Sequence, residues 1–351
     1  QAQVLIEQGD LDEAESLYDE ALESYNRALK MYQEFDDQRG VGSVYLKIGN
    51  TFEKQGRHEE AREVYKTACH LAKKHQMALL SLDANVALGN IYFIKGAYYE
   101  AVTLLHTALE SIQEVQDRFR ELRIHGILAK AYKSTGDVDK SIWSFQRAIQ
   151  IAKEIGDRRS EGNNIGNLGN VYNSISQPET ALPLFQESIQ IAKEIGDKRM
   201  EAVGLANTGW TYRDLGRFTD AISTLEHAIK ITVEIGDVST QASLTSNLAM
   251  LHNSIGEHTK ALSLYEAILP LYVAEGKRNE EAIAVGNIGY IYQKLEMYDK
   301  ALSSYEYAIE IATEIGLIRA RGLNLGYLGT LFILMKRWGD AEHTLLEAIK
   351  I

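Results

Sequence analysis

Between positions 158 and 197 the apolar and small residues fall on two stripes. Ile165, Leu168, Gly169 and Tyr172 recur three, four and seven residues apart within the stretch from Arg158 to Ser176. Ala181, Leu184, Phe185, Ser188, Ile189 and Ala192 repeat the pattern further on. That periodicity predicts two amphipathic helices, each turning one face to a core. Pro178 stands at the first turn of the second helix, where its missing N–H costs little. Gly156, Gly196, Gly236, Gly276 and Gly316 follow the second helices, where glycine takes the left-handed conformation that closes a helix. Asp157, Asp197 and Asp237 come next, in position to cap the following helix.

The pattern returns every forty residues. Gly49, Gly89, Gly169, Gly209, Gly289 and Gly329 share one register, as do Ala61, Ala101, Ala181, Ala221, Ala261, Ala301 and Ala341. A fixed period of this size marks a solenoid, in which each unit buries its apolar face only against its neighbours. Small residues at 169 and 181 let the paired backbones approach, and an aromatic at Tyr172 or Phe185 fills the space beside them. The expected fold is all-α: eight helix pairs over residues 38–351, the last incomplete, with turns near 56, 96, 136, 176, 216, 256, 296 and 336. A long leading helix over residues 1–37 is expected in front. Leu11 to Glu34 reads as one helix because Ala21, Tyr25 and Ala28 match the forty-residue register while Gly9, Ala14, Tyr18 and Ala21 match the same pattern displaced by seven. The whole of 1–351 reads as one repeat domain. Because it begins mid-unit and stops inside a second helix, it also reads as part of a longer protein. Pro183 and Pro270 fall within second helices, where a bend is expected.

The series Ala61-Tyr65-Ala68, Ala181-Phe185-Ser188, Ala261-Tyr265-Ile268 and Ala301-Tyr305-Ala308, with the small residue of each first helix, resembles the tetratricopeptide repeat family. That family's usual unit is 34 residues, and here it is 40. Leu88-Gly89-Asn90 and Leu168-Gly169-Asn170 are similar to the repeats of Pins-type spindle-orientation adaptors. The phrase from Glu154 to Asn163 is similar to repeats of bacterial sensor and signalling proteins. The resemblance implies a right-handed superhelix whose first helices line a concave wall that contacts extended peptides.

Composition narrows the partners. Lys+Arg number 37 against 49 Asp+Glu, a net charge of −12, and no Lys/Arg stripe dominates the chain. Nucleic acid is therefore disfavoured, since phosphate binding needs clustered cations. The apolar run from Tyr327 to Met335 is about half of what a bilayer span needs, and no signal-peptide pattern opens the chain. With a single cysteine, Cys69, no internal disulfide is expected. These features together point to a cytoplasmic protein without membrane insertion.

Catalytic chemistry is not expected. His58-Glu59-Glu60-Ala61-Arg62 begins like a zinc-protease motif but has Arg62 where the second ligand belongs. Cys69, His70 and His75 do not share a helix face, and Cys69 stands in a core column. Gly162, Gly166 and Gly169 lie inside a predicted helix with no strand before them, so no phosphate loop and no cofactor are expected. Glu59-Glu60 and Glu280-Glu281 read as solvated faces or first-turn dipole partners.

The candidate ligand site is an asparagine series. Asn163, Asn167, Asn170 and Asn173 share one face of a first helix, and the column of Asn167 continues as Asn207, Asn247 and Asn287. Asparagine is a mediocre helix former, so propensity does not explain the series. An amide that both donates and accepts can pair with peptide main chain regardless of sequence. Asn253 and Arg213 complete the candidate peptide-binding set, Arg213 to receive an acidic group. Arg123, Lys130 and Lys133 also project from first helices. The alternative is that the asparagines tie neighbouring repeats together, and for Asn50, Asn90 and Asn170 the two readings weigh equally. A chaperone-tail receptor is disfavoured, because Ile127 stands where the family's carboxylate clamp needs a second cation beside Arg123. The expectation is a noncatalytic peptide-binding scaffold, or else the sensor or autoinhibitory arm of a larger signalling enzyme.

Overall fold

The computed structural model describes residues 1–351, the side chains of residues 113–115 excepted. Two compact units divide the chain, residues 1–177 and residues 178–351. The first unit holds α1 (Ala2–Ala14), α2 (Tyr18–Glu34), α3 (Gln38–Lys54), α4 (His58–Lys74), α5 (Ala78–Ile94), α6 (Tyr98–Val115), α7 (Arg118–Thr135), α8 (Val138–Ile155) and α9 (Arg158–Ser174). The second holds α10 (Pro178–Glu194), α11 (Lys198–Asp214), α12 (Phe218–Glu234), α13 (Val238–Ser254), α14 (His258–Ala274), α15 (Arg278–Lys294), α16 (Tyr298–Glu314), α17 (Ile318–Leu334) and α18 (Trp338–Ile349). Odd-numbered helices are the first members of the forty-residue pairs and even-numbered helices the second. Four such pairs lie wholly in the first unit, α1–α2 to α7–α8, and four in the second, α11–α12 to α17–α18.

The expected long leading helix is two helices. Ser16, with φ 63°, turns the chain between α1 and α2. Gly9 belongs to the column of Gly49, since a Cβ there would stand 2.6 Å from the Tyr25 ring, as one at Gly49 would stand 2.3 Å from Tyr65. Two phases of the pattern displaced by seven residues share nearly one helix face and so read as a single helix, which the turn at Ser16 divides. Elsewhere the turns fall as expected, with positive φ at Gly56, Gly96, Gly136, Ser176, Gly216, Gly256, Glu296 and Lys336. Asp157, Asp197 and Asp237 cap their helices, accepting from the N–H of Ser160, Met200 and Thr240 at 3.0 Å each. α10 and α14 continue through Pro183 and Pro270.

Packing follows the register. Where a first helix carries glycine in this column, at Gly9, Gly49, Gly89, Gly209, Gly289 and Gly329, it faces the large residue sixteen positions on, so Gly209 lies under Leu225 and Gly289 under Tyr305. Leu225 and Tyr305 are wholly buried, as are Tyr25, Tyr65 and Tyr265, which dominate the apolar area removed from water. Cys69 packs half-buried against the neighbouring cores, 3.5 Å from Asn85 Oδ1, and burial pushes its thiol up to about 11. Such a thiol is a small hydrophobe rather than a nucleophile.

A polar thread recurs at one position of the first helices. Glu121 accepts from Arg118 at 2.6 Å and Arg147 at 2.8 Å. Glu281, wholly buried, accepts from Arg278 and from the Tyr307 hydroxyl at 2.8 Å each. In the last pair the polarity inverts, Arg321 standing in the glutamate column and donating to Glu347. The solvated reading of Glu280-Glu281 therefore fails for Glu281, whose place in the first turn of α15 stands. A buried carboxylate persists there because charged donors satisfy it.

Candidate functional site

In the first unit α3 lies against α5 and α5 against α7; in the second, α13 lies against α15 and α15 against α17. First helices therefore form the inner layer of each unit. Their inward positions recur in register: in the first unit Lys47, Asn50 and Glu53 on α3 correspond to Ile127, Lys130 and Lys133 on α7 and to Asn167, Asn170 and Asn173 on α9. In the second, Asn207, Trp210 and Arg213 on α11 correspond to Asn247, Met250 and Asn253 on α13 and to Asn287, Tyr290 and Gln293 on α15.

The asparagine column is half-buried at Asn167, Asn207, Asn247 and Asn287, and Asn163 is exposed. Asn287 Nδ2 donates to the Tyr265 hydroxyl at 2.9 Å. The described hydrogen bonds do not include one from the side chain of Asn207 or Asn247. Asn253 Oδ1 meets His258 Nδ1 at 2.8 Å, so only its amide nitrogen is left to a ligand. Asn170 is half-buried, and Asn173 is engaged within the protein. Where the sequence left Asn50 and Asn90 open, both bind neighbours: the Tyr65 hydroxyl donates to Asn50 Oδ1 at 2.6 Å, and Asn90 donates to Glu53 at 2.6 Å. Arg213 lies 4.3 Å over the Trp210 ring and pairs with Asp214 at 2.7 Å. Its guanidinium is already neutralised in part, which weakens it as the selector of an acidic group.

The second unit contains a cleft of about 630 Å³ between α13, α15 and α17, floored by Tyr265 from α14. Asn253, Asn287, Met250, Tyr290, Lys294 and Tyr327 line it. The rings of Tyr290 and Tyr327 meet at 5.5 Å, Tyr327 stacks on Tyr305 at 5.9 Å, and Lys294 Nζ rests 5.1 Å over Tyr290. Burial raises the Tyr265 phenol to about 12, so it stays a neutral hydrogen-bonding group. Amide, phenol and ammonium groups thus edge an aromatic wall, the mix by which peptide clefts hold a main chain and one apolar side chain. Sequence reasoning placed Asn253 and Asn287 here and missed Met250, Tyr290, Tyr327 and Lys294. The register carried the signal: Tyr327 stands in the column of Asn287, while Met250 and Tyr290 stand in that of Asn170.

Among the described residues there is no group of three or more His, Cys, Asp or Glu able to hold a metal. Searched the same way, no helix is long and apolar enough to cross a membrane.

These paired helices define a class of helical repeat proteins. A tetratricopeptide repeat model matches residues 1–74, 80–154, 160–232 and 240–314, and a second matches residues 46–110. The chain belongs to the tetratricopeptide repeat family. No curated protein sequence matches it. Among solved structures, the apo form of RapI is similar at 14% identity and a TM-score of 0.71, over 99% of this chain and 96% of that one. A Rap protein complexed with competence and sporulation factor gives 14% identity and a TM-score of 0.61, over 99% and 97%. A signal-transduction ATPase with a tetratricopeptide repeat sensor, from Pyrococcus horikoshii, gives 17% and 0.60, over 99% of this chain but 48% of that one. At these identities the likeness is one of fold.

Proposed function

We propose that the chain is a noncatalytic scaffold of the cytoplasm that holds an extended peptide segment of a partner protein along its first helices. The observation that carries this reading is the second unit's cleft, whose wall is built by successive first helices and whose polar groups include the predicted Asn253 and Asn287. Beside it, Asn207 and Asn247 offer a donor and an acceptor each to peptide main chain. The solved complex of a Rap protein with competence and sporulation factor supports the reading by analogy of fold. A second reading, the sensor arm of a larger signalling enzyme, draws on the Pyrococcus horikoshii ATPase, about half of whose chain is covered.

The test is selection of a random dodecapeptide library on immobilised 1–351, followed by calorimetry of recovered peptides against two variants, Asn247→Ala/Asn287→Ala and Tyr290→Ala/Tyr327→Ala. Both should weaken the peptides by about 1–3 kcal/mol, as lost groove hydrogen bonds and ring contacts do. Peptides that bind both variants as tightly as the parent chain would move the binding surface elsewhere.

A further inference from the structure

α7 carries Arg123, Lys130 and Lys133 on its inner face, all three exposed. No ion pair or hydrogen bond holds any of their charged groups among the described residues. Cations nearby are matched: Lys47 pairs with Asp10 at 2.6 Å, Lys54 with Glu13 at 2.7 Å, Arg120 with Asp83 at 2.6 Å and Lys140 with Asp137 at 2.7 Å. Glu53, on the inner face of α3, is occupied by Asn90 and by the Tyr65 hydroxyl at 3.2 Å. In a chain with 49 acidic residues against 37 basic ones, this stripe gathers three cations on one face of a first helix.

The stripe has a neighbour of matching register. Positions 123, 127, 130 and 133 of α7 correspond to Asn163, Asn167, Asn170 and Asn173 of α9, forty residues on. A Cβ at Gly126 would lie 3.4 Å from Asn164 Oδ1, which sets α9 directly beside α7. We propose that this inner face of the first unit binds an acidic, extended protein segment, with Arg123, Lys130 and Lys133 receiving its carboxylates and Asn163 and Asn167 holding its main chain.

Three further points support that occupant. Surrounding protein strips water from the Lys130 and Lys133 ammonium groups and lowers their pKa, although both side chains remain reachable from solvent. An arriving carboxylate would replace the lost hydration and raise them again. From residue 123 to residue 133 the stripe runs about 15 Å at 1.5 Å per residue, the reach of four or five residues of extended chain. Finally, amides beside the cations suit a peptide backbone, which presents an N–H and a C=O at each residue.

This inference rests on the inner-layer reading of the proposed function but uses the first unit alone, so the two fail separately. The probe is a fluorescein-labelled decapeptide of alternating glutamate and serine, titrated with 1–351 and followed by anisotropy at low and physiological salt. A decapeptide of alternating lysine and serine and a ten-nucleotide oligothymidylate serve as comparisons. The acidic peptide should bind in a salt-sensitive way, and Arg123→Gln/Lys130→Gln/Lys133→Gln should weaken it roughly tenfold, as the loss of three exposed charge pairs would. Tyr290→Ala/Tyr327→Ala should leave it unchanged. The substituted side chains are exposed, and a melting curve that matches the parent's certifies the fold. Equal binding to the triple variant, equal binding of the lysine peptide, or preference for the oligothymidylate would overturn the proposal.

Discussion

The two units share one backbone plan and dress its inner positions differently. In the first unit those positions hold Asp10, Glu13, Lys47, Glu53, Asp83, Arg123, Lys130 and Lys133 beside Asn50, Asn90, Asn167, Asn170 and Asn173; in the second they hold Asn207, Trp210, Asn247, Met250, Asn287, Tyr290 and Tyr327, with Arg213. Much of the first unit's charge is spent internally, Lys47 on Asp10 and Lys54 on Glu13, in bridges between successive first helices. The second unit's amides and rings line a cleft of about 630 Å³, whereas charged groups, Asp36, Asp37, Arg39, Asp83 and Arg120 among them, edge a cleft of about 800 Å³ in the first. A solenoid core depends on small and large residues meeting at fixed spacing, so its inner face is free to vary without loss of fold.

The largest effect should come from breaking the part the units share. Gly49→Leu and Gly209→Leu each drive a side chain into a tight pair, but the neighbours differ. At Gly49 a Cβ stands 2.3 Å from the Tyr65 ring, which Asn50 fixes by a hydrogen bond; at Gly209 it stands 2.9 Å from Leu225, which has rotamers to yield. Both substitutions should cost about 1–3 kcal/mol, with Gly49→Leu at the upper end, and should split a single melting transition. Urea unfolding that shows equal costs would mean that ring fixation does not matter.

A pH titration should separate the units next. His125 is buried in the first unit with no partner for Nδ1 and packs edge-on to Trp143 at 5.3 Å. Burial pushes its pKa down from 6.5 to about 4. Between those values the unfolded chain binds a proton that the folded one refuses, so stability is full above pH 6.5 and falls as pH drops toward 4. The loss should be about 1–3 kcal/mol. The same column in the second unit holds Leu205, Thr245, Val285 and Leu325, which do not titrate. Denaturation followed by Trp143 fluorescence, in a background with Trp210→Phe and Trp338→Phe, should show this slope, and His125→Leu should abolish it. A slope that survives His125→Leu belongs to other groups.

What the sequence revealed divides along the same line. The helices, their turns and the burial of Leu168, Leu205, Leu248 and Ile288 were legible because each depends on a spacing repeated along the chain. The first pair was misread because two phases of the pattern, seven residues apart, share nearly one helix face and so conceal the turn at Ser16. The site was only half legible. Asn287 and Asn253 could be placed on the inner face, yet that Tyr265 and His258 already bind them follows from partners 22 and five residues away. Nor does period say whether a charge is spent: Arg213 and Lys130 look alike in sequence, and only one has a carboxylate beside it.

The smallest effect tests the polar thread common to both units. Glu121 of the first unit faces Arg147, whereas Arg321 of the second faces Glu347 with the charges exchanged. If the thread requires only opposite charges, Arg321→Glu should destabilise the second unit and the further change Glu347→Arg should restore it. The Arg321 and Glu347 side chains are 34% and 40% exposed, so solvent screens the pair and the single variant should cost only about 1 kcal/mol. Arg321 Nε is buried without a partner, so part of the guanidinium's dehydration is relieved when glutamate replaces it, which keeps the cost small. Urea unfolding of the single and double variants at low and high salt makes the measurement. Restoration by the double variant, with a salt-dependent loss in the single one, is the expected result. A double variant no more stable than the single one would show that the column demands a particular residue at a particular place, and that the two units are less alike in their outer packing than in their backbone.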